Sequence, residues 1–114
     1  MNSEELDCND RNYIESRIRS KPQPDEDKIL KYLGSGNRFA EAGAYVTDVF
    51  SREKNWEGIY TYTDGEWLWD NTLTYYVENY HFQISNEFVA HMKKNNWKVP
   101  KLTEEELEKH FGRW

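Results

Sequence analysis

The sequence predicts an α+β fold in which strands and helices occupy separate stretches of the chain. Alternating side chains mark strands at 44–50, 58–63 and 66–69, and helical apolar spacing precedes and follows them. Strands that run together disfavour a parallel βαβ arrangement. We therefore expect two short N-terminal helices, a small antiparallel sheet of about three strands, and two to three C-terminal helices.

The chain has 114 residues, which indicates one domain over 1–114. Its hydrophobic share is only 37%, but its aromatic share is 16%, and disordered chains are poor in aromatic residues. We expect a folded core rich in aromatic rings, with residues 1–9 disordered because they are polar.

The first helices are predicted at 10–19 and from about 24 to 33, because Pro22 and Pro24 interrupt the helical pattern. In the sheet, Asp64-Gly65 predicts a hairpin with a type I′ turn, which requires positive φ at both central residues.

The C-terminal half carries helix signals. Leu73, Tyr76, Val77 and Tyr80 have the spacing of one helix face. Either Asp70 or Asn71 is expected to cap that helix, and Ser85 to cap the next. Thr103 and Glu106 form the pattern of a capping box before the last helix.

The bulk composition favours a cytoplasmic protein. Cys8 is the only cysteine, so an internal disulfide is excluded and a reducing compartment fits. The acidic N-terminus is unlike a signal peptide. No apolar run approaches the roughly 20 residues that span a bilayer.

The titratable residues do not form a recognisable catalytic pattern. Glu78 and His81 make one E-x-x-H pair, which is too few ligands for a di-iron site. The pairs Glu87/His91 and Glu106/His110 fit solvated helix faces better. Asp64, Glu66 and Asp70 could serve acid–base chemistry, although turn and capping roles account for the two aspartates. We predict no catalytic residue, no metal site, no cofactor and no enzymatic activity.

The acidic segment 55–92 is the strongest functional signal. It contains no Lys or Arg and carries six carboxylates, which equals the net charge of -6. Such a surface attracts basic proteins and repels nucleic acid and anionic membrane. Trp and Tyr are frequent interface anchors. The predicted partner-binding residues are Asp48, Glu57, Asp64, Glu66, Trp67, Trp69 and Asp70. The opposing interpretation, equally weighted, packs Tyr60, Tyr62, Trp67 and Trp69 against the helices as core.

Part of the chain resembles a known family. The segments T-D-G-E-W-L-W (63–69), L-T-Y-Y-V-E-N-Y-H (73–81) and N-E-F-V-A-H-M (86–92) are similar to a family of small bacterial proteins found beside polymorphic or contact-dependent toxins. The resemblance covers about 28–92 and implies an immunity protein. That family often has Pro-Ser where this chain has Asp70-Asn71. The resemblance supplies no catalytic residue.

Three functions remain open from the sequence. The first is an immunity protein that neutralises a toxin, with a basic nuclease domain as the expected partner, by stoichiometric occlusion. The second is a small-molecule-binding or enzymatic domain. Its aromatic pocket would be lined by Tyr60, Tyr62, Trp67, Tyr76 and His81. The third is an adaptor with an acidic interface. The sequence leaves the oligomeric state open.

Overall fold

The computed structural model describes residues 2–3 and 10–111, apart from the side chains of five of them: Asn2, Ala42, Trp56, His110 and Phe111. Their elements, in chain order, are β1 (Asn2–Ser3), α1 (Arg11–Arg17), α2 (Glu26–Gly34), β2 (Asn37–Thr47), β3 (Lys54–Thr63), β4 (Trp67–Asp70), α3 (Asn71–Tyr80), α4 (Asn86–Lys94) and α5 (Glu104–Phe111).

The sheet confirms the α+β class but has more strands than expected. Within the described residues it has four strands in the order β1-β4-β3-β2. β3 is antiparallel to both of its neighbours, whereas β1 is parallel to β4. Residues 2–3 were expected to be disordered, but the free edge of β4 gives their backbone a partner. The rest of 1–9 lies outside the described residues.

β2 and β3 are both longer than the sequence predicted. β2 begins at Asn37 and β3 at Lys54, whereas the alternating pattern begins at 44 and 58. The register of this pair shifts between Glu41 and Tyr45, and Gly43 has a φ of +70° there. A bulge of this kind breaks the period of two, so the alternation disappears although the strands continue.

The Asp64-Gly65 hairpin forms, but its turn is not type I′. Thr63 pairs with Leu68 across it. Gly65 has a φ of +100°, while Asp64 is not among the residues with positive φ. The Asp64 side chain instead accepts hydrogen bonds from the backbone of Glu66 and Trp67, at 2.8 and 2.7 Å. An Asx turn therefore replaces the predicted geometry.

The core lies between one face of the sheet and the helices. The Trp67 ring stacks on Phe88 of α4 with 4.5 Å between centroids. Trp69 donates its indole N–H to the carbonyl of Leu33 at 3.0 Å, which ties β4 to the end of α2. Gly36 allows this approach, because a Cβ there would lie 2.5 Å from the Trp69 ring.

The helices of the described segments are short. None of them is long and apolar enough to cross a lipid bilayer.

Candidate partner-binding site

Asp64 occupies the centre of a buried polar cluster at the β3–β4 turn. It is 3% exposed. One carboxylate oxygen accepts the two backbone N–H groups of the turn. The other accepts the Tyr32 hydroxyl at 2.5 Å and lies 2.8 Å from Nε2 of His91. Asp64 thus joins its turn to α2 and α4 at once.

His91 connects this buried carboxylate to the surface. Its Nδ1 lies 3.2 Å from Oε2 of Glu66, a side chain that is 69% exposed. Only the doubly protonated imidazole ring donates to both carboxylates together. The predicted solvated Glu87/His91 pair is therefore wrong, because His91 turns inward to Asp64 instead.

Asp48 accepts a similar set of hydrogen bonds near the other end of β3. It is 2% exposed, and one oxygen accepts the backbone N–H groups of Phe50 and Ser51 at 2.7 and 3.0 Å. The other oxygen accepts the hydroxyls of Tyr75 and Tyr80 at 2.7 and 2.5 Å. The loop between β2 and β3 is thereby fixed to α3.

The tyrosines that donate to these aspartates have raised pKa values. Burial, followed by the hydrogen bond to Asp64, raises the pKa of Tyr32. Burial and Asp48 do the same for the pKa of Tyr75. The hydrogen bond to Asp48, with burial second, raises the pKa of Tyr80 to about 12. These phenols therefore remain hydrogen-bond donors throughout the neutral range.

The pKa of Asp48 moves the opposite way from what burial alone would cause. Burial acts to raise it, but the hydrogen bonds from Tyr80, Tyr75 and the loop backbone outweigh burial and hold it below its ordinary value. Asp48 is thus an ionised interior carboxylate with both oxygens in use.

Four of the seven predicted contact residues lie in the interior. Trp67 is 7% exposed and Trp69 is 2% exposed, and both pack against the helices. Asp48 and Asp64 are buried by the donors described above. A surface made of all seven residues is therefore wrong, because alternation shows which side chains share a face but not which face packs.

The other three predicted residues lie in different places. Glu57 and Glu66 are exposed, and Glu66 lies beside His91 at the hairpin turn. Asp70 is half-buried and accepts the Thr61 hydroxyl at 2.9 Å. It holds the N-cap position of α3, but its side chain makes no capping hydrogen bond.

An open groove between β3 and α3 gathers part of the acidic segment. We call it the acidic groove. Its volume is about 420 Å³, and its lining residues are Leu33, Gly34, Asn55, Glu57, Tyr62, Asn71, Thr74, Tyr75, Glu78 and Asn79. Two carboxylates and three amides thus line one opening, and none of the described residues that line it is a lysine or arginine.

Asn71 makes the groove wall rigid. Its side-chain amide donates to the carbonyl of Gly58 at 2.7 Å and to Oε1 of Glu57 at 3.4 Å. Its side-chain oxygen accepts the backbone N–H of Tyr60 at 2.9 Å. The first residue of α3 thereby holds β3 in place and positions the Glu57 carboxylate at the groove.

The alternative aromatic pocket does not form as the sequence predicted. Trp67 and Tyr76 are buried in the core. Tyr60 lies under the guanidinium of Arg38, 3.8 Å from its ring centroid. His81 instead lies 2.8 Å from a carboxylate oxygen of Glu26. These side chains serve separate contacts.

The histidines of the described segments do not build a metal centre. His81 pairs with Glu26 and not with Glu78. No group of three or more His, Cys, Asp or Glu side chains within the described segments could hold a metal ion. Cys8 lies outside them.

Glu78 is the site residue that sequence reasoning missed. The pattern E-x-x-H relates Glu78 to His81, but His81 pairs with Glu26 and Glu78 lines the acidic groove. Its place opposite Glu57 depends on α3 packing beside β3, and no local pattern encodes that contact.

Comparison of the chain with family models, curated proteins and solved structures gave no match. The function of the chain is therefore inferred from the geometry of the groove and from the charge pattern.

Proposed function

We propose that this chain is an immunity protein that binds a basic toxin domain through the acidic groove and blocks it by stoichiometric occlusion. The observation that carries the proposal is that Glu57 and Glu78 line the same groove and that none of its described lining residues is basic. The segment that supplies most of its lining, 55–92, has no Lys or Arg at all.

The groove suits a guanidinium or ammonium group from the partner. Two carboxylates offer charge-assisted hydrogen bonds, and Arg in particular binds carboxylates through paired N–H groups. Tyr75 adds aromatic surface on which a guanidinium can stack, whereas Arg38 of this chain already lies over the Tyr62 ring. We expect a basic loop of the toxin to insert one such side chain between the two glutamates.

Charge would also speed the encounter. A net charge of -6 attracts a basic domain over a distance that salt shortens. Nuclease domains present basic clefts because their substrate is a polyanion, so an acidic inhibitor competes for the same field. The proposed mechanism needs no turnover and assigns no catalytic residue.

The fold supports the groove as a preformed surface. Asn71 fixes Glu57, and the cluster around Asp48 fixes Tyr75. Binding to a preformed surface avoids the entropy cost of ordering loops. The groove is therefore expected to change little when the partner binds.

The first test is co-purification of the tagged chain with the product of the gene beside its own, followed by co-expression. A one-to-one complex at low salt, together with suppressed toxicity, supports the proposal. A harmless neighbour that does not bind counts against immunity.

The second test locates the interface. The double variant Glu57→Lys/Glu78→Lys is expected to reduce the association rate at low salt by about tenfold or more. Its matched control is Glu15→Lys/Glu105→Lys, which changes the net charge equally on exposed positions of α1 and α5. If both variants slow association to the same degree, the partner senses net charge alone and the groove is not the interface.

A further inference from the structure

A second cavity lies at the opposite end of β3 from the Asp64 turn. It has a volume of about 350 Å³. It opens between β2, β3 and the loop that joins them, beside the first residue of α1. This volume is at the small end of the range for ligand sites. It shares no lining residue with the acidic groove.

The walls of this cavity combine apolar and cationic groups. Val49, Ile59 and Tyr45 supply apolar surface, and Arg11 and Arg52 are the basic side chains. Binding sites for small molecules commonly have this composition, with an apolar body and a few polar groups that fix orientation.

The two arginines are not neutralised by an ion pair within the described part of the chain. Arg11 lies over the Phe50 ring at 5.5 Å, which leaves its N–H groups for other acceptors. The side chain of Arg52 has no hydrogen-bond partner among the described residues. Arg52 also has a φ of +65°, a conformation that costs energy for a residue with a Cβ.

The acidic residue in the cavity wall compensates only one of the two arginines. Asp48 lines the cavity, but its two oxygens already accept four hydrogen bonds from the loop backbone and from α3. Its negative charge offsets one arginine, so the described lining residues carry a net charge of +1. This contrasts with the acidic groove and with the chain as a whole.

A buried hydroxyl at the cavity wall also has no partner. Thr72 of α3 lines the cavity and is 3% exposed. Its Oγ1 makes no hydrogen bond within the described structure. Buried polar groups are almost always paired, so this hydroxyl marks a polar position behind the cavity wall that the described residues leave unsatisfied.

We propose that this cavity binds a compact monocarboxylate with an apolar body. The carboxylate would pair with the guanidinium of Arg52, assisted by Arg11, and the apolar body would contact Val49, Ile59 and Tyr45. A neutral molecule of the same shape would leave the arginines unpaired, and a cation would be repelled. The proposal is independent of the acidic groove.

The test is an NMR titration of the ¹⁵N-labelled full chain with phenylacetate, which represents this ligand class. We expect saturable shifts of the backbone amides of Val49, Arg52 and Thr72. The neutral isostere phenylacetamide is expected to bind at least about tenfold more weakly, since a charge-assisted hydrogen bond is lost. Absence of saturable shifts with phenylacetate, or shifts located elsewhere, overturns the proposal.

Variants at Arg52 separate binding from folding. Arg52→Gln is expected to weaken phenylacetate binding by about tenfold or more, whereas Arg52→Lys keeps the charge but loses the paired N–H groups, so we expect a smaller loss of affinity. The matched control is Arg19→Gln, which removes an exposed arginine that lines a different depression. Undiminished binding by a folded Arg52→Gln variant, judged by its amide spectrum, also overturns the proposal.

Discussion

The two turns at the ends of β3 are built around the same device, yet they are anchored differently. Asp64 and Asp48 each accept two backbone N–H groups from their own turn and two side-chain groups from helices. The donors to Asp64 come from two helices, α2 and α4, whereas both donors to Asp48 come from α3.

This difference indicates what each turn holds together. The Asp64 cluster joins two helices that are far apart in sequence, so its loss would loosen the packing of the whole core. The Asp48 cluster secures one loop to one helix, and its tyrosines are only half-buried. The same hydrogen-bonding pattern thus stabilises the whole core at one end of β3 and a single loop at the other.

Replacing Asp64 should produce the largest effect. Asp64→Ala leaves His91, Tyr32 and two backbone N–H groups without their acceptor in the interior. We expect a loss of about 3–5 kcal/mol in the free energy of unfolding, as for other buried pairs that lose one partner. Urea denaturation measures it, with Asp70→Ala as the control that removes a half-buried carboxylate. Equal losses for the two variants would contradict the central role of Asp64.

Replacing Asp48 should cost less. Asp48→Ala removes the anchor of one loop, but the hydroxyls of Tyr75 and Tyr80 can turn to water. We expect a loss of about 2–3 kcal/mol in the free energy of unfolding, consistent with hydrogen bonds to a charged group. Hydrogen exchange should show faster opening in 48–53 and α3 than in α2. Uniform acceleration across all helices would mean that both clusters stabilise the whole core.

In contrast to the two aspartates, the buried hydroxyl of Thr72 has no hydrogen-bond partner within the described structure. Thr72→Val replaces the orphan hydroxyl by a methyl group of similar size. We expect the ligand-free protein to gain about 1 kcal/mol, because the cost of burying an unpaired hydroxyl is removed. Thermal unfolding measures this gain. A destabilised Thr72→Val variant would show that an ordered water or another group satisfies the hydroxyl in solution.

The acid dependence of stability should report on the Asp48 cluster. The pKa of Asp48 is below its ordinary value in the fold, so the unfolded chain binds more protons near pH 4. The stabilisation from Asp48 is complete above about pH 4 and is lost as the pH falls further. Asp48→Asn should therefore show a shallower loss of stability below about pH 4 than the unaltered protein. Parallel curves would contradict this assignment.

At alkaline pH the dependence of stability on pH has the opposite sign. The pKa of Tyr80 is raised to about 12 in the fold, whereas an unfolded tyrosine titrates near about 10. Its contribution is complete below about pH 10 and is lost as the pH rises towards about 12. Tyr80→Phe should therefore reduce the steepness of alkaline unfolding, measured by circular dichroism. An unchanged slope would argue against the Tyr80–Asp48 bond in solution.

Sequence patterns predicted local structure correctly where the hydrogen bonds join residues only a few positions apart. The Ser85 hydroxyl accepts the backbone N–H of Phe88, and Thr103 and Glu106 form their capping box. The Asp64-Gly65 hairpin was located for the same reason, although its turn type was not. The first seven residues of β2 were not predicted as strand, because the bulge shifts the register and removes the alternation.

The sequence by itself determined the α+β class, the caps at Ser85 and Thr103, the hairpin position and an acidic segment without basic residues. These depend on neighbours along the chain and on composition. Only the tertiary structure decided that Trp67 and Trp69 face inward, that His91 binds Asp64, and that Glu57 and Glu78 line one groove. Each of these depends on partners tens of residues apart, and such contacts arise from packing that no local pattern specifies.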